Sequence, residues 1–584
     1  MPKGTGVPAY REVTIPAVIL GVMLGSVMTA AFVYIGLKLG FTLAGSTVAA
    51  ILGFAVLRGA LGKGTIVENN INQTVASGIN NASSGVAFTL PALFLMKAND
   101  PTLDFVEGGT FMESLSGAMP FILAGIAGSF MGIVLIIPLR KQMIEFERLR
   151  FPSGIAVGSL LKSPGAGMRQ AILLISGVVI GTIFTTMAQY HVIPEKIVIG
   201  GALGVPEYFP IAFGVSFASL GAGLLSGKGG LPFVAGGVLA WWIISPLVVF
   251  MGWVPTIGVG GEDAWVTGKV VFLEMLRPLG IGILIGGAIA GVIASFPALR
   301  GAMKGLSSVG KSAGGKSLAS DEMPMKLIGF GLVAAMVLLF GAALASSGDI
   351  GGGQAIAVAV VGTLWLAVAG LIVAQATGMT DISPLSGMSL IGVTVLFFLT
   401  AGNVLAAITI GVAICIGIGQ CADMMTDLKS GHLVGSVPRR QQTIQLAVAW
   451  IGVPIAVGAV YLYWQTPGFG PGQDLSAPQG QALQAVIESL RSGDVALDKY
   501  LAGIALGCCL GIFPISGVAV LVGLAMYLPF YITVTYGIGC IVSITIQRKK
   551  GARWMGNTMV PLAAGFIIGE ALPSLVISII KATG

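Results

Sequence analysis

Charge is what this chain is short of. Only 9% of its 584 residues are Asp, Glu, Lys or Arg, against about 25% in an ordinary soluble chain, so it cannot cover a wetted surface of normal extent. Histidine is nearly missing: His191 and His432 are the two present, which excludes a histidine-rich metal centre. Cysteine is sparse as well. Cys415, Cys421, Cys508, Cys509 and Cys540 lie in or beside apolar runs without CxxC spacing, so neither a disulfide frame nor a zinc site is indicated. The 24 acidic residues are scattered, too thinly for the clustered Mg2+ and phosphate ligands of a pyrophosphatase-like membrane pump. A passive channel would need a ring of equivalent groups, and no such ring is evident. These shortages argue against an enzyme and against a bound cofactor or resident metal. The net charge of +7 resides in short loops between apolar runs, a membrane-protein pattern, so nucleic acid is not expected as a partner.

What the chain has in abundance is apolar length. It is 55% hydrophobic with a mean hydropathy of +0.94, and runs of about 20 apolar residues, enough to cross ~30 Å of hydrocarbon as a helix, recur from Val13 onward. The fold class that follows is all-α: a polytopic membrane protein with roughly 14 to 16 transmembrane helices by that length rule. One transport domain is expected, with halves 1–298 and 327–584 joined by a basic linker, 299–326. The first run is too long for a signal peptide and lacks a cleavage pattern, so it reads as a span. Basic residues at Lys3, Arg11, Arg58, Lys63, Arg140, Lys141 and Arg148, set against Asp100, Asp104, Glu107 and Glu113, place the N-terminus in the cytoplasm and the 97–113 loop outside.

Several runs are interrupted. A broken span is expected over 65–96, a re-entrant segment at 151–161, a break at Gly402-Asn403, and two or three crossings within 500–546. Phe151-Pro152-Ser153-Gly154 resembles Phe513-Pro514-Ile515-Ser516-Gly517, and Pro138-Leu139-Arg140-Lys141 resembles Pro438-Arg439-Arg440-Gln441. Matched Gly/Pro-broken segments in two halves point to a transporter's binding region. The two Phe-Pro segments are therefore expected near one another, with Ser153 and Ser516 facing a cavity. Glycine pairs four apart (Gly21/Gly25, Gly282/Gly286, Gly287/Gly291, Gly565/Gly569) are read as helix-packing contacts.

Polar residues inside such runs are costly unless partnered, so they mark candidate sites. In Glu68-Asn69-Asn70-Ile71-Asn72-Gln73-Thr74 and onward, helical phase puts Asn69, Asn72, Gln73, Ser77 and Asn80 on one face with Glu68 at its edge. Such a face suits a zwitterionic or multidentate solute. Gln375 and Thr377 precede Gly378, Pro384 and Gly387, which are expected to break a helix and expose backbone to a cavity. Asp381 lies in the same stretch. Asp423 and Asp427 share a helical face, with Lys429 and His432 just beyond, and Glu570 sits mid-run. Glu68, Glu570 and Asp381 are the candidate proton-coupling carboxylates, since burial can move a carboxyl's titration toward neutrality.

These residues resemble the oligopeptide transporter family, and within it the yellow stripe-like metal-chelate branch and its prokaryotic relatives. The resemblance rests on Glu68 to Thr74, Pro138 to Lys141, Phe151 to Gly154, Asp423 to His432 with Pro438-Arg439, Tyr527-Leu528-Pro529-Phe530-Tyr531 and Gly569-Glu570-Ala571. It implies proton-coupled uptake of small peptides or of metal ions held by amino-acid-like chelators. It also gives Asp423, Asp427, Lys429 and His432 a gating role. The N-terminus is shorter than in many eukaryotic members, which favours a prokaryotic one. A secondary active transporter of the plasma membrane is thus expected, with a peptide or metal chelate, protons and lipid as partners; a homodimer is compatible with this.

Overall fold

The computed structural model describes residues 11–41, 45–60, 62, 64–101, 103, 111–162, 166–254, 268–291, 293, 322–380, 383–471, 473–492, 497–512 and 517–583. The sequence is laid out as α1 (Ile15–Leu39), α2 (Gly45–Gly53), α3 (Ile66–Asn80), α4 (Ala82–Asn99), α5 (Phe111–Ile136), α6 (Pro152–Lys162) and α7 (Ala166–Gln189). A two-stranded antiparallel hairpin follows, β1 (Lys196–Val198) and β2 (Ala212–Gly214). Next come α8 (Phe217–Ser226), α9 (Leu231–Val238), α10 (Phe272–Gly291), α11 (Met325–Ser346), α12 (Gly352–Thr380), α13 (Leu385–Leu399), α14 (Val404–Val434) and α15 (Pro438–Gln465). The chain closes with α16 (Pro478–Ser492), α17 (Leu497–Gly511), α18 (Val518–Met526), α19 (Phe530–Lys550) and α20 (Val560–Thr583). It is a multi-pass, all-α membrane protein.

Among the described residues, twelve helical stretches are long and apolar enough to cross a membrane, fewer than the 14 to 16 expected from apolar runs. The difference lies in helices that stop part-way. Gly45–Gly59 and Leu385–Leu399 are apolar but short; a 15-residue helix is only about 22 Å long. The 34-residue stretch Phe217–Phe250 is no straight span either. Gly223 lies against Tyr536 and Gly227 against Ser543, but Gly230 is back beside Tyr536 and Gly237 beside Thr533. The chain reverses at Gly227, whose φ of +51° belongs to the region that side chains disfavour.

The stretch 65–96, expected to be broken, is instead nearly continuous, with Asn81 between α3 and α4 keeping helical backbone angles and its N–H donating to the Ser77 carbonyl at 3.0 Å. The expected break at Gly402-Asn403 is present, where Asn403 Oδ1 accepts the Ala406 N–H at 3.0 Å and caps α14. The segment from Pro152 is an 11-residue helix too short to cross. The expected break in this stretch is present, between Thr380 and Leu385 with Pro384 directly before α13, but the two glycines do not make it: α12 runs through Gly378 to Thr380 and Gly387 lies inside α13. Without a Cβ, Gly378 lets Leu149 and Phe151 approach, and its carbonyl accepts the Phe151 N–H at 2.9 Å.

The most enclosed elements are α14 and the α3–α4 pair, each with 94% of its apolar window buried, whereas α7 and α11 have 28% and present Ile172, Val179, Phe330 and Val337 outward. Glycines set the closest approaches. A Cβ on Gly21 would meet Val75 at 2.7 Å, and one on Gly25 the Ala76 carbonyl at 2.9 Å, so α1 lies directly on α3. Gly177 and Gly181 of α7 meet Gly565 and Gly569 of α20 backbone to backbone.

Candidate functional site

Helix α3 begins with a capping box. Thr65 Oγ1 accepts the Glu68 N–H at 3.2 Å and Glu68 Oε2 accepts the Thr65 N–H at 2.8 Å. This satisfies two donors at the helix start and employs Glu68 as a cap. Beyond it the polar face is buried but divided between two neighbours. Asn69 Nδ2 donates to the Ala50 carbonyl at 2.9 Å and Asn72 Nδ2 to that of Ala49 at 3.0 Å, pinning α2 just before it opens into π-helical turns at Phe54–Ala60. Asn80 lies against Gly45 of the same helix. A small cleft lined by Phe54, Arg58, Thr65, Asn69 and Leu161 adjoins this side.

The other edge faces α14 and α15. Gln73 Nε2 donates to Ser430 Oγ at 3.2 Å, and Ser430 Oγ donates to Asn70 Oδ1 at 3.0 Å. Ser77 Oγ donates to Asp423 Oδ1 at 2.5 Å. From α15, Gln441 Nε2 donates to Thr74 Oγ1 at 3.0 Å and Gln445 Nε2 to Asp423 Oδ2 at 3.2 Å. Ser46 of α2 completes the group, 2.9 Å from Ser77 Oγ and 3.2 Å from Asp427 Oδ1. Four helices thus bring amides, hydroxyls and two carboxylates into one buried layer, in which Asn70, Asn72, Gln73, Ser430, Gln445 and Asp427 are almost wholly enclosed.

A second buried polar layer lies where α1 meets α20. Lys38 Nζ is 2.7 Å from Glu570 Oε1. Glu570 also accepts from Ser216 Oγ at 3.0 Å, Tyr34 Oη at 3.2 Å and the Ala218 N–H at 2.8 Å. Ala218 is in the first turn of α8, so the helix N-terminus adds favourable field. At the start of α19, Tyr531 Oη donates at 2.6 Å to Asp474 Oδ1, which lies with Glu195 in connecting segments outside the spans. A hydrogen bond with Asp474, helped by burial, pushes Glu195 up to about 7. Burial would raise Asp474, but Lys38 and hydrogen bonds from Glu195 and Tyr531 outweigh it and hold that carboxyl below its usual range.

The remaining candidates are not in these layers. Of the expected gating set, Asp423 and Asp427 face α3, Lys429 packs against Gly154 of α6, and His432 is exposed; the helical turn separates them. Gln375 Nε2 donates to Glu147 Oε2 at 2.8 Å, and Thr377 Oγ1 lies 2.6 Å from Ser383 Oγ, so both secure the chain near α12's end. Ser153 is half-buried on α6, which lies along α14, while α18 packs on α9. Only the part of the second Phe-Pro segment from Gly517 onward is described, and α18, which follows it, does not share α6's main neighbour; Phe513 to Ile515 fall outside the described residues. Asp381 and Ser516 fall outside the described residues.

The family model for OPT oligopeptide transporter proteins matches residues 12–581. The chain belongs to the OPT family. A protein of Haemophilus influenzae named as an oligopeptide transporter is 26% identical, over 94% of this chain and 92% of its own. The iron-phytosiderophore transporter of Oryza sativa subsp. japonica is 25% identical, over 98% and 93%. A metal-nicotianamine transporter of Arabidopsis thaliana is 24% identical, over 98% and 94%. The similarity to these OPT members spans both polar layers.

Sequence reasoning missed Ser46, Ser430, Gln441 and Gln445 as site residues of this OPT chain. Gln441 and Gln445 are four apart at the start of α15, the same amide spacing that drew attention to α3, and could have been found that way. Ser46 carries no local signal; its partner Asp427 is 381 residues away.

Proposed function

We propose that this protein is a proton-coupled secondary active transporter of the plasma membrane, with its N-terminus in the cytoplasm, that moves short peptides or amino-acid-like metal chelates. The observation that carries this reading is the buried layer of α2, α3, α14 and α15, where amide and carboxylate groups can stand in for the hydration shell of a polar solute. Peptides and amino-acid chelates present ammonium, amide and carboxylate groups, and side-chain amides match these because they both donate and accept. The names of the relatives point to the same cargo classes. The metal, where one travels, is part of the cargo.

The test is uptake into proteoliposomes of di- to tetrapeptides and of iron chelates of amino-acid-derived ligands, with and without an inward proton gradient. Accumulation above the outside concentration that collapses with the gradient supports the reading. Uptake that only equilibrates, or is indifferent to the gradient for every cargo, overturns it.

A further inference from the structure

Asp423 and Asp427 are joined by a chain of hydroxyls. Asp423 Oδ1 meets Ser77 Oγ at 2.5 Å, Ser77 Oγ meets Ser46 Oγ at 2.9 Å, and Ser46 Oγ meets Asp427 Oδ1 at 3.2 Å. The path carboxyl–hydroxyl–hydroxyl–carboxyl contains three hydrogen bonds. Each serine brings one proton and an ionised carboxylate brings none. Two protons cannot fill three bonds, so the closed chain requires a proton on one of the carboxyls.

The surroundings are short of donors as well. Asp427 Oδ2, Gln73 Oε1, Gln441 Oε1 and Gln445 Oε1 are buried oxygens without a hydrogen-bond partner among the described residues, and buried acceptors left unfilled are costly. Among the described residues no cation compensates the pair. From α2 and α3 it meets serines and amides; Glu68 is taken up by its capping box. On α15, Arg440 pairs with Glu12. At the end of α5, Arg140 pairs with Glu145 and Glu322. On α14 itself, Lys429 lies toward α6 and His432 is exposed.

We propose that Asp423 and Asp427 together bind a single proton, relayed between them through Ser77 and Ser46, and that this proton holds α2 and α3 against α14. The proposal rests on the transport reading and assigns the proton's site within it. When the proton is bound, all three bonds close and the pair carries one negative charge. When it leaves, one bond opens and two carboxylates share one buried site, where like charges oppose each other. The short helix α2 then has reason to part from α14.

The proton is the probe, so the experiment needs no transported solute. The full chain in lipid vesicles is titrated while its infrared spectrum is recorded. In a Glu195→Gln background, which removes the other carboxyl held up to about 7, the expected result is one carboxylic-acid carbonyl band per chain that persists at neutral pH. Asp423→Asn and Asp427→Asn should each abolish it, because the new amide N–H supplies the missing donor and leaves the remaining carboxylate ionised. Ser46→Ala and Ser77→Ala cut the relay and should shift the band's frequency and its titration midpoint; they decide the matter if the Asn variants fail to fold. A Glu195→Gln parent without the band, or one whose band all four variants leave unmoved, overturns the proposal. So does a band replaced by a sodium-dependent carboxylate shift when potassium is exchanged for sodium, since a metal ion would then fill the site. Uptake that still follows the proton gradient after such a result would leave the transport reading standing.

Discussion

The two buried charged layers solve the same problem in opposite ways. Around Glu570, every charge has its answer: an ammonium group at 2.7 Å, two hydroxyls and a backbone N–H at the start of α8. Around Asp423 and Asp427 the described residues supply hydroxyls and amides but no cation, and several oxygens stay unfilled among them. A complete set of partners fixes a structure, because any one removed leaves a buried charge exposed to a poor medium. An incomplete set leaves room for something that comes and goes. The first layer is built to stay, the second to change.

The largest expected effect breaks this contrast at its rigid end. Lys38→Met strands Glu570 in the interior and should cost about 3–5 kcal/mol, read as a clear drop in the thermal midpoint of the detergent-solubilised protein. Adding Glu570→Gln to Lys38→Met should recover much of that loss. Asp427→Asn, at the other layer, should leave the midpoint nearly unchanged. If the two single variants prove equally destabilised, the two layers do not differ in the way described.

A smaller effect sharpens the role of the divided polar face. Gln73→Leu removes the donor to Ser430, and Asn72→Leu frees the Ala49 carbonyl; each should cost about 1–3 kcal/mol, with the protein still inserting. Solute uptake should fall for both, and more steeply for Gln73→Leu, which faces the carboxylates, than for Asn72→Leu, which holds α2. Undiminished substrate affinity in both would reduce the face to packing.

The smallest effect concerns the Glu195–Asp474 pair beyond the spans. Glu195 binds its proton more tightly in the folded protein, up to about 7, so the folded state holds more protons there than the unfolded one. Its contribution is present at acid pH and is lost as pH rises through about 7. Asp474, held low, works in the other direction and loses its contribution only under strong acid. Glu195 is largely exposed, and solvent screens the effect. The protection factors of the 195–215 hairpin amides, with the base-catalysed rise of intrinsic exchange divided out, should be modestly lower at pH 8 than at pH 6, and Glu195→Gln should remove that difference.

The fold class, the break at 402–403 and the buried polar character of the α3 and α14 stretches were legible because each leaves a local mark: an apolar run, an Asn or Gly at an interruption, or polar residues where lipid forbids them. Helical phase misled where it was applied to one helix alone. Asn69 and Gln73 look like one face of α3, yet one donates to α2 and the other to α14, because two helices flank that face. Glu570 signalled its need for a partner, but Lys38, 532 residues earlier, could not be named from sequence. Ser46 left no mark at all. The described residues hold twelve helices long and apolar enough to cross, against 14 to 16 counted from apolar runs, because an apolar run of 15 residues and one of 25 look alike in sequence.

The glycine contact between α7 and α20 has a mechanical meaning. Where two backbones touch through Gly177, Gly181, Gly565 and Gly569, no side chain lies between them to bend or rearrange. The pair should behave as a strut. Glu570 is the residue after Gly569, so the strut anchors the Lys38 ion pair to α7, one of the two helices with the most outward-facing surface. Any swing of α1 past that point must either snap the ion pair or drag α7 through lipid, and both resist. Thickness or viscosity of the surrounding bilayer should therefore register at Lys38 well before it is felt at Asp423.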